Sequence, residues 1–173
     1  MTRKVIHVAL NGVTGRMGYR QHLVRSLLSI REQGGVQLGD GTAVYPEPVL
    51  VGRSEERLRD IAERHGLARW TTSLDEVLGD ATVEVYFDTQ VTSAREASLM
   101  RAIEAGKHVY TEKPVAGSLD GALRLARKAG QPPSLGDGTR SRSPVAERMR
   151  TLSARRPPGH PPADFARHAS GCR

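Results

Sequence analysis

Short apolar runs alternate with amphipathic segments through the first 130 residues of the chain. The runs are nearly continuous in apolar residues, as parallel strands covered on both faces are. The segments between them carry apolar residues at helical spacing, as at Leu23, Leu27 and Ile30. The pattern predicts strands at 5–10, 48–52, 69–72, 83–88 and 108–111, and helices at 15–34, 54–66, 73–79, 93–105 and 118–129.

The regular order of strand and helix predicts an α/β fold with a doubly wound parallel sheet, Rossmann-like, and right-handed crossovers. A stretch with glycines and prolines from Gly39 to Pro48 predicts a loop or hairpin before the second strand. Ligands bind such a sheet beyond the carboxyl ends of its strands. The predicted functional site therefore lies beyond the carboxyl ends of these strands.

The first strand is followed at once by three glycines, Gly12, Gly15 and Gly18. Gly12 allows the chain to reverse and a phosphate to approach the backbone, and Gly15 opens a helix whose free N–H groups can hold a pyrophosphate. Gly18 lets that helix pack closely on the strand. The spacing differs from the commonest dinucleotide fingerprint, but the order of strand, turn and helix predicts a dinucleotide site.

Arg53 and Ser54 follow the second strand, where an NAD enzyme usually has a carboxylate for the adenosine ribose. Counting about 20 residues from the glycines selects Glu32 instead, but Glu32 falls at the end of a helix. A guanidinium beside a hydroxyl suits a phosphate dianion, so NADP is preferred to NAD, with Arg16 as a second cation. The alternative is that Arg53 only begins a solvated helix.

Residues 131–173 break the pattern, with seven of the ten prolines and eight arginines. Their large apolar residues are too few to bury a core. The prediction is a dinucleotide-binding domain at 1–130 and a basic disordered tail at 131–173, with at most a short helix near 144–154. This sequence, rich in Arg, Pro, Ser and Gly, begins abruptly inside a familiar pattern, as a shifted reading frame in GC-rich coding DNA would produce. The hypothesis is therefore a truncated or frame-shifted product.

The formal net charge is +7, and most of it lies in this tail. No aromatic residues alternate with its arginines, so a nucleic-acid partner is not expected. The chain has no apolar run of membrane-span length and enters a strand directly, so a cytoplasmic location without a membrane partner is expected. The lone Cys172 and the isolated histidines predict no disulfide and no metal site.

Three strings carry a resemblance to a known family: NGVTGRMG at 11–18, AERHG at 62–66 and, most specifically, AIEAGKHVYTEKP at 102–114. They resemble the Gfo/Idh/MocA oxidoreductases, which include glucose-fructose oxidoreductase and inositol dehydrogenase. The resemblance covers residues 5 to about 130. It implies hydride transfer between a nicotinamide cofactor and a sugar- or polyol-like substrate.

In the family, the Lys of Glu-Lys-Pro lies near the nicotinamide and the substrate hydroxyl, which makes Lys113 the expected catalytic residue. An ammonium there can orient the oxygen on the reacting carbon and stabilise the negative charge that develops on it. The residues expected to contact the cofactor are Gly12, Thr14, Gly15, Arg16, Met17, Gly18, Arg53, Ser54, Asp88, Thr89, Gln90, Glu112, Lys113 and Pro114.

The chain departs from the family pattern after the fourth strand, where Asp88-Thr89-Gln90 replaces the usual Thr-Pro or Asn-Pro. Nothing after Gly130 resembles the family's substrate domain with its acid/base Asp and His. Asp164 and His168 have the matching spacing, but they follow helix-breaking prolines and receive no role. A weaker resemblance links the glycine turn to dihydrodipicolinate reductase, to which Glu-Lys-Pro does not belong.

Three hypotheses follow from these residues. The first is the nucleotide-binding half of an NADP- or NAD-dependent oxidoreductase, which binds its cofactor but gives no useful turnover in this form. The second is a cofactor sensor or partner-binding module whose basic tail orders on a partner. The third is a nonfunctional gene remnant.

Overall fold

The structure is a computed structural model that describes residues 2–130. The predicted tail at 131–173, the helix near 144–154, Asp164, His168 and Cys172 lie outside these residues. The elements are β1 (Thr2–Asn11), α1 (π-helical over Met17–Leu28 and α-helical over Ser29–Glu32), β2 (Val36–Gln37), β3 (Thr42–Val51), α2 (Glu55–His65), β4 (Trp70–Thr71), α3 (Leu74–Gly79), β5 (Val83–Asp88), α4 (Thr92–Glu104), β6 (His108–Thr111) and α5 (Leu119–Gly130).

Strand β1 lies at the centre of the sheet. The strand order is β2-β3-β1-β5-β6, and β4 pairs with the last residues of β3. All of these pairs are parallel except β2 with β3, which is antiparallel. The α/β fold with a predominantly parallel, Rossmann-like sheet is thereby confirmed, and the predicted hairpin is the β2–β3 pair.

Helices cover both faces of the sheet and form two apolar clusters with it. Each fully buried leucine in such a cluster contributes about 1.5–3 kcal/mol relative to an exposed one. The face under α1 and α2 includes Leu10, Leu23, Leu50, Leu58 and Phe87. The face under α3, α4 and α5 includes Ala9, Val77, Tyr86, Leu99 and Leu125.

Strand β3 starts at Thr42, earlier than the predicted 48–52. Pro46 and Pro48 therefore lie inside it. The N–H of Leu50 donates to the Arg69 carbonyl on the outer side of β3. Alternate residues of a strand bond toward the same side, so the nitrogens of both prolines also face outward. Since β2 and β4 pair only with the two ends of β3, the prolines interrupt no ladder hydrogen bond.

Helices α2 and α3 begin, and α2 ends, at residues that the sequence marks as caps. Ser54 accepts a hydrogen bond from the N–H of Arg57 at 3.4 Å, and Ser73 accepts one from Glu76 at 3.2 Å. Gly66 ends α2 with a φ of +61°. In the part of the chain that the structure describes, no helix combines the length and apolar character needed to cross a membrane.

Strand β5 contains one residue more than β1 where the two pair. His7 pairs with Val83 and Val8 pairs with Val85, which leaves Glu84 as a bulge. Beyond the bulge, Tyr86 faces the cluster under α3, α4 and α5, and the next residue faces the opposite cluster. Val83 and Val85, on either side of the bulge, face opposite clusters, so the bulge leaves the alternation of β5 unchanged.

Candidate functional site

Four parallel strands end in register at one edge of the sheet. Asn11, the last residue of β1, is level with Val51 of β3 and with Asp88 of β5. Asp88 is in turn level with Thr111 of β6. The ladder continues past the strand ends, because the N–H of Gly12 donates to the Val51 carbonyl at 3.0 Å. The segments that follow these strands therefore meet at this edge.

The glycine turn is packed against the chain that follows β5. Gly12 has a φ of +84°, and a Cβ added there would lie 2.9 Å from the backbone of both Thr89 and Gln90. A Cβ on Gly18 would lie 2.6 Å from the Gly12 carbonyl oxygen and from Thr89 Oγ1. Gly15 is less confined, with 3.3 Å to that same carbonyl oxygen. The geometry thus makes Gly12 and Gly18 packing residues of the turn.

The start of α1 is open to an anion. Gly15, Arg16 and Met17 are exposed there, and this helix has no side-chain cap and no acidic residue in its first turn. By contrast, α2 has the Ser54 cap and two acidic residues in its first turn. An uncapped N-terminus presents N–H donors and the positive end of the helix dipole, and Arg16 adds a full charge.

The segment after β3 adds a second cation beside the turn. Arg53 is exposed, and its guanidinium makes no hydrogen bond or ion pair with any residue between 2 and 130. A Cβ added to Gly52 would lie 3.4 Å from Thr14 Cγ2, so the glycine turn borders this segment. The Ser54 hydroxyl accepts the Arg57 N–H and keeps its own proton as a donor.

The carboxylate of Asp88 lies in the interior, whereas Thr89 and Gln90 are half-buried at the edge. Asp88 accepts hydrogen bonds from Tyr86 Oη at 2.9 Å, Arg95 Nε at 3.1 Å and the Gln90 N–H at 3.0 Å. Burial raises the pKa of Asp88 above its ordinary value, although these three donors oppose the shift. The side chain is therefore occupied by the protein itself.

Arg95 is the residue of this site that sequence analysis missed. It lies on α4 and is 3 % exposed. Besides Asp88, its guanidinium donates to the backbone carbonyls of Gln90 and Pro114. Its position along the helix could have indicated its burial, because Arg95 occupies the buried stripe of α4 with Ser98, Leu99 and Ala102. A charged residue in such a stripe requires buried partners.

The Glu112-Lys113-Pro114 segment is attached to α1 through a side-chain pair. His22 Nε2 lies 2.6 Å from Glu112 Oε1, and the His22 ring packs edge-on against Phe87. Burial would raise the pKa of Glu112, but the bonds from His22 and the Lys113 N–H hold it below its ordinary value. Lys113 is exposed at the same edge, before a cis peptide bond to Pro114.

Each predicted site residue lies in one of the segments at this edge. The glycine turn, the Arg53-Ser54 segment, the Thr89-Gln90 segment and the Glu112–Pro114 segment follow four neighbouring strands. Asp88 differs from the others because its side chain points into the interior. The edge thus presents an open helix N-terminus, one cation on the β3 side and one ammonium on the β6 side.

Comparison with known families and proteins agrees with this arrangement. Residues 6–132 match GFO_IDH_MocA, an oxidoreductase family with an NAD-binding Rossmann fold. The chain is 55 % identical over 123 residues to D-xylose dehydrogenase from Paenarthrobacter nicotinovorans, across 71 % of this chain and 32 % of that protein. It therefore spans about a third of the length of that relative.

Solved structures share the fold at low sequence identity. Levoglucosan dehydrogenase, in complex with NADH and levoglucosan, superimposes with a TM-score of 0.60 at 21 % identity, over 73 % of this chain and 32 % of that one. A 3-ketoreductase from Actinomadura kijaniata, in complex with TDP-benzene and NADP, gives a TM-score of 0.53 at 20 % identity, over 74 % and 35 %.

Proposed function

The chain belongs to the GFO_IDH_MocA oxidoreductase family through its NAD-binding Rossmann-fold domain, and from that premise we propose that it binds NADP(H) for hydride transfer with a sugar or polyol. The substrate class is supported by the 55 % identity to D-xylose dehydrogenase over 123 residues. We expect the chain itself to bind the cofactor, and turnover to need the further length that its relatives have.

The observation that carries the proposal is the open start of α1 between two cationic segments. A dinucleotide has a pyrophosphate between its two riboses, so an anion site with polar segments on either side fits its shape. Arg16 and Met17 are proposed to hold the pyrophosphate with their backbone N–H groups and the Arg16 guanidinium, while Gly15, whose N–H donates to the Gly12 carbonyl at 3.0 Å, leaves room for it beside the turn. Three strand spacings, about 14 Å, separate the end of β3 from the end of β6, which suits the two halves of the cofactor.

The adenosine half is proposed to lie at the end of β3, where Arg53 and Ser54 would hold a 2′-phosphate. A phosphate dianion gains charge-assisted hydrogen bonds from a guanidinium and a hydroxyl, whereas an uncharged ribose hydroxyl gains less from the same groups. Glu55 and Glu56 in the first turn of α2 add negative charge nearby and reduce this gain. We therefore expect a preference for NADPH of about tenfold over NADH, not several hundredfold.

The nicotinamide half is proposed to lie toward Thr89, Gln90 and Lys113. When bound, the nicotinamide ring supplies or accepts the hydride. In the reduction direction, the substrate carbonyl gains a hydride at carbon and a proton at oxygen. Lys113 is proposed to donate a hydrogen bond to that oxygen and to stabilise its negative charge. Glu112, held by His22, keeps the start of this segment on α1.

Titration of the chain with NADPH and NADH, followed by fluorescence, tests the proposal. The Arg53→Ala variant is expected to raise the dissociation constant for NADPH about tenfold and to change that for NADH by less than about twofold. The matched control is Arg59→Ala, which removes an exposed arginine from α2 and should change neither constant.

The outcomes of this titration separate the two parts of the proposal. If the wild-type chain binds neither nucleotide at millimolar concentration, the cofactor function is refuted. If it binds both and Arg53→Ala weakens them equally, cofactor binding stands and the preference for NADP(H) is refuted.

A further inference from the structure

The guanidinium of Arg95 joins three separate segments behind the proposed nicotinamide side of the edge. Its Nε donates to Asp88 at the end of β5, at 3.1 Å. Its two terminal nitrogens donate to the Gln90 carbonyl, just past β5, and to the Pro114 carbonyl, in the segment after β6. Among residues 2–130, Arg95 is the residue whose side chain hydrogen-bonds to both of these segments.

This arrangement differs from an ion pair that serves stability alone. Asp88 already has donors in Tyr86 Oη and the Gln90 N–H, so its charge is partly compensated without Arg95. The two backbone carbonyls, however, accept hydrogen bonds from the two terminal nitrogens of one planar guanidinium, and this fixed geometry holds both oxygens near the guanidinium plane. The side chain is 96 % buried, so solvent cannot readily replace these bonds.

From these contacts we propose that Arg95 is a positioning residue that fixes the carbonyl groups of Gln90 and Pro114 relative to each other, and thereby shapes the wall that receives the nicotinamide. The proposal rests on the proposed cofactor function. Among the described residues, Arg95 makes no hydrogen bond to Lys113, and it acts on the edge through the two carbonyl groups. Its loss should therefore affect the nicotinamide half of the cofactor and leave the adenosine and pyrophosphate half bound as before.

The Arg95→Lys variant tests this role because an ammonium keeps the charge beside Asp88 but lacks the planar fork. The matched control is Arg101→Lys, which makes the same change at another position of α4. Arg101 forms an exposed ion pair with Asp75 of α3. Binding of NADPH is compared with binding of 2′-phospho-ADP-ribose, the same cofactor without its nicotinamide. NADH and ADP-ribose replace this pair if the wild-type chain prefers them.

For Arg95→Lys, the dissociation constant for NADPH is expected to rise about tenfold while that for the fragment changes by less than about twofold. Arg101→Lys should change neither. Equal weakening of both ligands by Arg95→Lys, or no weakening of either, refutes the positioning role. A wild-type chain that binds neither ligand instead refutes the proposed function, so the two failures are distinguishable.

A measurement on the wild-type chain covers the case in which Arg95→Lys does not fold. The Nε–H resonance of Arg95 in a ¹⁵N-labelled sample is expected to shift when NADPH binds and to stay in place with 2′-phospho-ADP-ribose. The same shift with both ligands, or none with either, contradicts the proposal.

Discussion

Substitution of Gly12 by alanine tests whether the glycine turn is packed as closely as the structure indicates. Two separate costs act at this position. Gly12 has a φ of +84°, which an L-residue adopts with strain. An added Cβ would also lie 2.9 Å from the backbone nitrogen of Gln90 and from the carbonyl carbon of Thr89, and neither is a flexible side chain that can move aside.

The two costs can be estimated separately. A left-handed backbone costs a residue with a side chain about 1–2 kcal/mol. Overpacking against atoms that cannot relax costs about 1–3 kcal/mol more. Gly12→Ala is therefore expected to lower the free energy of unfolding by about 2–5 kcal/mol, a large part of the about 5–15 kcal/mol typical of a domain.

Urea unfolding followed by the fluorescence of Trp70 measures this loss. At an m-value of about 2 kcal/mol per molar, the midpoint should fall by about 1–2.5 M. Gly66→Ala is the matched control, because Gly66 has a φ of +61° but no atom within 4 Å of an added Cβ. It should show the backbone cost alone, about 1–2 kcal/mol. If Gly12→Ala loses no more than Gly66→Ala, the close approach of the segment after β5 is refuted.

Two further predictions concern carboxyl groups. Hydrogen bonds from Thr82, helped by Arg69, lower the pKa of Asp80 from 3.8 to about 2. The unfolded chain then binds more protons in this range, so stability is full above about pH 4 and falls as pH drops toward 2. Asp80→Asn should flatten this dependence in unfolding measured against pH, and an unchanged slope would contradict the assignment. His22→Leu should raise the pKa of Glu112, read from its ¹³C carboxyl shift, whereas His65→Leu should leave it unchanged. A Glu112 pKa that is the same in both variants would exclude His22 as a cause.

Much of the fold could be predicted from the sequence because its signals are local. The strands predicted at 83–88 and 108–111 have the bounds of β5 and β6, and Ser54, Ser73 and Gly66 act as the predicted helix ends. The start of β3 could not be predicted in this way. Pro46 and Pro48 normally argue against a strand, and only the pairing of β3 shows that their nitrogens face an unpaired stretch of its edge.

The candidate site was predictable where a motif defines a segment, as for the glycine turn and Glu-Lys-Pro. What the sequence could not supply was the direction in which Asp88 points, because that depends on the register of β5 with β1. The partners of Arg95 and Glu112 were equally hidden. They lie on segments 19 and 90 residues away along the chain, and tertiary packing alone brings them together.

The extra residue Glu84 has a consequence for changes in chain length. Removing it would leave Val83 directly before Val85, and these two residues already face opposite clusters. Tyr86 and Asp88 would therefore keep their side of the sheet, and Arg95 would keep its carboxylate partner. A deletion at this one codon is thus expected to cost little more stability than Glu84→Ala, because the chain loses only a residue that has no pairing partner in β1.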